Sequence, residues 1–463
     1  MEDESLQQLP SLTSLQMTNN KLTSLNTIPL CELKNLRELN LSNNSIYSLK
    51  NAQFYCRELS NNVGLNLNNE NLVLGLDSKE YFSISDKTFK LEKLDLSYNN
   101  ISELSYALAD LQNLKMLNLE GNKLESILNK HLSSVKSLET VNLKNNLLEN
   151  IDERIFSNQT DLLYLDLSYN RITNFSINNA PLLEYISLGH NMLNTFSLTY
   201  LNDLNKLKTL MLHNNKIQDV YPSTFQGLIA LEELDLSNNK IKLQNDSFTN
   251  LYKLEQLSLS NNSISVLPLY VFRNLTNLKT LDLSKNMLRT LSTNVTFRNL
   301  VNLEILNISY NRLEELNFAT IDPLNNLNVL DIAGNRLHYI QYDVIISRLP
   351  LLSVLNLKAN LLSCELLYKI ITFLKHRNMS YTISEEFDYT KENVAGIYCD
   401  SEKKIVSESL INEHMSGGGY ALLILGGILG VVLVLIVIVV SLFKIHLFLK
   451  EEIVQSGRIR TDR

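Results

Sequence analysis

Tryptophan is absent from the 463-residue chain, and cysteine (4), proline (7) and glycine (14) are few. Acidic side chains (49) outnumber lysine and arginine (42), for a net charge of −7. The basic stripe of an electrostatic nucleic-acid binder is missing, so no nucleic-acid partner is expected. Missing too are a P-loop, H-E-x-x-H, G-x-S-x-G and the kinase motif set, which leaves no catalytic constellation to assign. The seven histidines are scattered without metal-ligand spacing. The chain reads as a binding protein and not an enzyme, with no cofactor and no metal. The opening MEDESLQQLPSL holds neither a basic region nor an apolar run, so no signal peptide is visible.

Leucine and asparagine, by contrast, are very frequent, and their spacing carries the reading. LEKLDLSYNNI at 91–101 returns as LLYLDLSYNRI at 162–172, LEELDLSNNKI at 231–241 and LKTLDLSKNML at 278–288. The template is L-x-x-L-x-L-x-x-N-x-L. Its asparagine falls at Asn20, Asn44, Asn99, Asn122, Asn146, Asn170 and Asn191, and again at Asn215, Asn239, Asn262, Asn286, Asn311, Asn335 and Asn360. A degenerate fifteenth copy lies near 62–72, with Glu70 in the asparagine slot. Most spacings are 23–25 residues; Asn170 to Asn191 is 21.

The L-x-L alternation predicts a strand with one buried face, and stacking many copies predicts a parallel sheet. The recurring asparagine is expected to bond backbone groups left unpaired where the chain turns inward, forming a structural ladder. A second apolar signature, such as Phe225-x-x-Leu228-x-x-Leu231 and Phe248-x-x-Leu251-x-x-Leu254, fills the convex half of each unit. The fold class is therefore an α/β repeat solenoid, a horseshoe with a concave parallel β-sheet. Fifteen strands about 4.8 Å apart make a concave arc of roughly 70 Å, a size that suits a protein partner.

These residues resemble the extracellular, roughly 24-residue class of leucine-rich repeats, which Toll-like receptor ectodomains and insect adhesion proteins of the chaoptin type share. The resemblance covers about residues 6–400 and implies fold more than function. It divides the chain into a repeat array over 1–362 and a cysteine-bearing cap over 363–400. A linker over 401–419, a membrane helix over 420–443 and a short tail over 444–463 complete the expected organisation. The family's cap carries four cysteines in two crossed pairs. Here Cys364 matches the second and Cys399 the fourth, while Leu362 occupies the first slot. The resemblance implies one bridge, Cys364–Cys399; two free thiols are the alternative. Cys31 and Cys56, near the convex phenylalanine slot, read as buried free thiols or as a bridge between neighbouring repeats.

Residues 420–443 carry no charge and are long enough to span a bilayer. Gly426-x-x-x-Gly430 could pack two such helices as a homodimer, or be glycine tolerated in lipid. The tail holds five basic residues against three acidic ones, which places it in the cytoplasm and the repeats outside, a single-pass type I arrangement at the plasma membrane. The tail has no tyrosine and is too short for a Toll-type signalling domain or a kinase. The chain opens inside a repeat, Leu6-x-x-Leu9-x-x-Leu12, so a missing start is expected. Taken literally, that start would instead suit a cytosolic scaffold anchored by its tail.

On the concave face most variable positions are Ser, Asp, Glu, Lys or Asn. Tyr164, Tyr169, Tyr185, His190, Met211 and His213 depart from this across three successive repeats, and aromatics and Met on an open face are typical interface anchors. Ordinary drift is the competing account of the six. His190 and His213 could instead share a metal, or be solvated surface. A weaker apolar strip is Ile305, Val329 and Val354. The recurring Asp95, Asp166, Asp235, Asp282 and Asp331 read as a solvated row, not an acid–base pair. Of the N-x-S/T sequons, Asn158, Asn245, Asn274 and Asn294 are the glycosylation candidates, expected on the convex side; Asn40 and Asn307 fall in strands.

Overall fold

The computed structural model describes residues 6, 9–49, 90–383 and 392–399, less short breaks at 26–27, 29, 31–32, 105–107, 109–110, 133–134, 153, 157–158, 178, 195–200, 202–203 and 292–294. Each L-x-L forms a three-residue strand with its central apolar residue inward and its neighbours outward. In chain order these are β1 Ser14–Gln16, β2 Glu38–Asn40, β3 Lys93–Asp95, β4 Met116–Asn118, β5 Thr140–Asn142, β6 Tyr164–Asp166 and β7 Tyr185–Ser187. They continue as β8 Thr209–Met211, β9 Glu233–Asp235, β10 Gln256–Ser258, β11 Thr280–Asp282, β12 Ile305–Asn307, β13 Val329–Asp331 and β14 Val354–Asn356. All pair in parallel in one 14-stranded sheet in sequence order, equivalent residues opposite one another.

Fourteen strands fall among the described residues, and β2 pairs directly with β3, Leu39 opposite Leu94; the degenerate copy near 62–72 lies outside the described residues. The asparagine ladder also steps straight across: Asn99 Nδ2 donates to Leu41 O at 3.0 Å, and its Oδ1 accepts from Ile46 N at 3.0 Å.

Asn239 shows how the ladder works. Its Nδ2 donates to Leu236 O (3.1 Å) and Ser237 O (3.1 Å) in its own turn and to Leu212 O (3.0 Å) one repeat earlier, while its Oδ1 accepts from Ile217 N (3.0 Å). One short amide thus closes its own turn and ties it to the previous repeat. The slot immediately after the central strand leucine, held by Asp95, Asp166, Asp235, Asp282 and Asp331, has a parallel task. Each Oδ1 accepts from the backbone N–H two residues on, at 2.8–2.9 Å. Asn40 and Asn307 do the same. The acidic row is a set of turn caps.

On the convex side Phe225, Phe248, Phe272 and Phe297 stack with centroids 6.1–6.3 Å apart. After β14 the pattern gives way to helix α1, Cys364–His376, capped by Ser363 Oγ accepting from Leu366 N at 3.3 Å. Its Leu367, Ile370, Ile371 and Leu374 are buried and cover the last repeat. Ser380 then bonds the free edge of β14, donating from N to Ser353 O (2.8 Å) and accepting at O from Leu355 N (3.1 Å). Cys364 and Cys399 are joined in a disulfide, Cα–Cα 5.0 Å.

Among the described residues no helix is long and apolar enough to cross a membrane. The 420–443 segment with Gly426 and Gly430, together with Cys31 and Cys56, lies outside the described residues.

Candidate functional site

The sheet brings the sequence-predicted concave residues together. Tyr164 and Tyr185 are opposite each other on β6 and β7, and their rings stack at 4.4 Å with planes 5° apart. Asp166 shares their strand pair and is only 7 % exposed. Burial first, and the Asp166 charge second, push both phenols above the usual tyrosine range.

Tyr169 and His190 occupy the slot immediately before the ladder asparagine. That slot is left-handed throughout the array, with φ of 56° and 55° at these two residues. Asparagine or glycine suits such a conformation, whereas a bulky ring is held there at some strain. The two rings stack at 4.0 Å and 13°. Lys144 Nζ lies 5.6 Å from the centroid of the Tyr169 ring. Two further tyrosines in this slot follow one rule: Tyr98 lies over Gly121 and Tyr310 over Gly334, where a Cβ would stand 2.6 Å and 2.5 Å from the ring.

His213 meets His190 edge-to-face, centroids 5.3 Å apart, and its Nδ1 stands 3.2 Å from Asp235 Oδ2. Asn214 Nδ2 lies 3.2 Å from His190 Nε2. Burial, and then the nearby His213, hold the His190 imidazole below its ordinary value. Burial raises Asp235, but the nearby His213 and the bonds from Ser237 outweigh it and hold the carboxyl low. Among the described residues no group of three or more His, Cys, Asp or Glu is placed to hold a metal. Met211 lies half-buried in register between Ser187 and Asp235.

Two consecutive repeats therefore break the scaffold's own rules. Ser187 and Met211 stand where most repeats have a capping Asp or Asn, and Gly189 and His213 replace the recurring serine two residues later. Such local departures are expected where function overrides folding. The sequence reading missed Gly189 and the burial of Asp166; the break in the serine column was the available signal for the glycine. Ile305, Val329 and Val354 are also in register, on β12–β14. Of the sequons, Asn245 is exposed and Asn274 half-buried, while Asn158 and Asn294 lie outside the described residues.

The leucine-rich-repeat family model matches residues 1–51, 64–124, 136–193, 205–264, 253–295 and 293–337, together more than half of the chain. The chain belongs to the leucine-rich-repeat family. Relatives of this leucine-rich-repeat chain include extracellular proteins and Toll-like receptors. Osteomodulin from Bos taurus is 30% identical over 209 residues, 45% of this chain and 42% of osteomodulin. Toll-like receptor 9 from Mus musculus is 28% identical over 290 residues, 56% of this chain and 28% of the receptor. The chain thus spans less than half the length of these two relatives. Among solved structures, the glycosylated Toll–Spatzle complex of Drosophila superposes with a TM-score of 0.62 at 20% identity, covering 84% of this chain and 54% of that one. At that identity the likeness concerns the fold alone.

Proposed function

We propose that this leucine-rich-repeat protein is a single-pass cell-surface protein that holds a protein ligand on its concave face, for adhesion or ligand capture. The observation that carries the proposal is the aromatic patch on β6–β8. Two stacked ring pairs stand side by side there, next to the two repeats in which Ser187 and Met211 replace the usual capping residue. Half-buried aromatics held rigid by stacking lose little entropy on binding and make effective anchors. The charge-free 420–443 segment supports membrane anchoring, and kinship with extracellular repeat proteins supports an outward-facing array.

The test is capture of binding partners from an array of extracellular protein domains by cells displaying the full chain. Y164A/Y185A at unchanged surface level should lose capture by more than tenfold if the pair is a hot spot. Unchanged capture with intact folding would remove the patch. A second reading, a non-signalling co-receptor in innate immunity or development, draws on the similarity to Toll-like receptor 9. It predicts that captured partners include other receptors as well as soluble ligands.

A further inference from the structure

The array treats its carboxylates in two ways. In the column just before the strands, three acids are paired with the neighbouring repeat: Glu139 with Lys115 at 2.9 Å, Glu184 with Lys208 at 2.8 Å and Glu255 with Lys279 at 2.7 Å. In the patch they are not. Among the described residues no lysine or arginine lies at ion-pair distance from Asp166 or Glu233, although Asp166 is 7 % exposed and Glu233 half-buried. A shielded carboxylate without a cation is an electrostatic deficit that a ligand can fill.

Register decides where. Tyr185, Thr209 and Glu233 are opposite one another on β7, β8 and β9. One face of the Tyr185 ring is taken by Tyr164, and the other looks along the sheet toward β8. Thr209 is short, and its hydroxyl stands 3.4 Å from Glu233 Oε2. A notch therefore opens between a ring face and a carboxylate, with Thr209 as its floor. Two strand spacings make it about 10 Å wide between backbones. That admits one planar guanidinium stacked on the ring, with its N–H groups about 3 Å from the carboxylate. Asp166, whose Oδ2 stands 3.5 Å from the Tyr164 hydroxyl, adds a second negative charge on the tyrosine pair's strands.

We infer that the Tyr185–Thr209–Glu233 notch receives an arginine side chain of the protein partner, its guanidinium stacked on Tyr185 and bonded to Glu233. The inference rests on the concave-face reading above and names the chemistry that the partner must present there.

The test uses fluorescein-labelled hexa-arginine and its neutral isostere hexa-citrulline, titrated by anisotropy against the full chain in nanodiscs at about 150 mM salt. Hexa-arginine should bind and hexa-citrulline should not. Y185A and E233Q should each weaken hexa-arginine at least about tenfold. Y185F keeps the ring and should bind nearly as wild type, which separates lost stacking from lost folding. E255Q, whose native carboxylate already has Lys279, should change binding little. Equal losses in E233Q and E255Q would reduce the effect to general acidity and overturn the inference, as would equal binding of hexa-citrulline. If Y164A/Y185A abolishes capture of the natural partner while hexa-arginine binding is unmoved, the notch is wrong and the aromatic patch stands. If hexa-arginine behaves as expected but partner capture is unmoved, the concave-face reading fails, and the arginine assignment with it.

Discussion

The imidazole of His213 occupies the space that a side chain at Gly189 would need. A Cβ at Gly189 would stand 2.5 Å from both Cε1 and Nε2 of the ring. Gly189→Ala should therefore swing His213 off the His190 edge while leaving the solenoid folded. We expect a loss of about 1 kcal/mol in urea unfolding, with a large shift of the His213 ring resonances. An unmoved His213 spectrum would show that the contact does not constrain the ring.

The ladder makes a sharper stability prediction. Asn262→Ala removes an amide that donates to Leu236, Leu259 and Ser260 carbonyls, all within 3.1 Å, and leaves buried backbone groups unpaired. A loss of about 2–4 kcal/mol is expected. Asn20 is exposed and donates to Thr18 O, so Asn20→Ala should cost under about 0.5 kcal/mol. Similar losses at both sites would sink the idea that burial, not motif membership, sets the penalty.

His190 gives a pH signature. Burial and His213 depress its proton affinity in the folded chain, so the folded state binds a proton less readily than the unfolded one. Its contribution is complete above about pH 6.5, fades as pH falls through the lower folded value, and then levels off. Urea midpoints at pH 7.5 and 5.0 should differ more in the wild type than in His190→Gln. Equal differences would assign the slope to other groups.

β2 pairs directly with β3 although the chain between them is longer than the step between other neighbouring strands, an insertion relative to the usual sequence period. Arg37 and its partner Glu92 are 55 residues apart, against 24 for the equivalent step from Glu255 to Lys279. Shortening 50–89 to restore the usual 24-residue step should leave the thermal midpoint within a few degrees. A collapse of the midpoint would mean that the insertion supports the solenoid.

Reduction of Cys364–Cys399, which closes a separation of 35 residues, should destabilise the cap by about 4 kcal/mol and expose the β14 end first. Hydrogen exchange before and after reduction locates the loss. Protection lost uniformly along the array would count against a local role.

The period, the ladder and the buried leucines were legible because each repeats an identical task in every unit, so the task shows as spacing. The direct pairing of β2 with β3 was not, because a sequence period gives no sign of which strands become neighbours in the sheet. The faces of Tyr164, Tyr185 and His190 were readable from their place in L-x-L-x-x-N. Their contacts were not, because stacking depends on the residue one repeat away and on its rotamer. The acidic row likewise carried no sign that Asp95, Asp166 and Asp235 serve their own turns.

The tyrosine-over-glycine pairs have an evolutionary consequence. Tyr98 with Gly121 and Tyr310 with Gly334 are each separated by one repeat, and the glycine cannot gain a side chain while the ring stays in place. A methyl at Gly121 meets a ring and a φ of +69°, whereas losing the ring removes only the first obstacle. Among descendants of a common repeat ancestor, substitutions at such paired slots should arrive together or in one order, ring first. The solenoid thus records part of its own substitution history as couplings one period long.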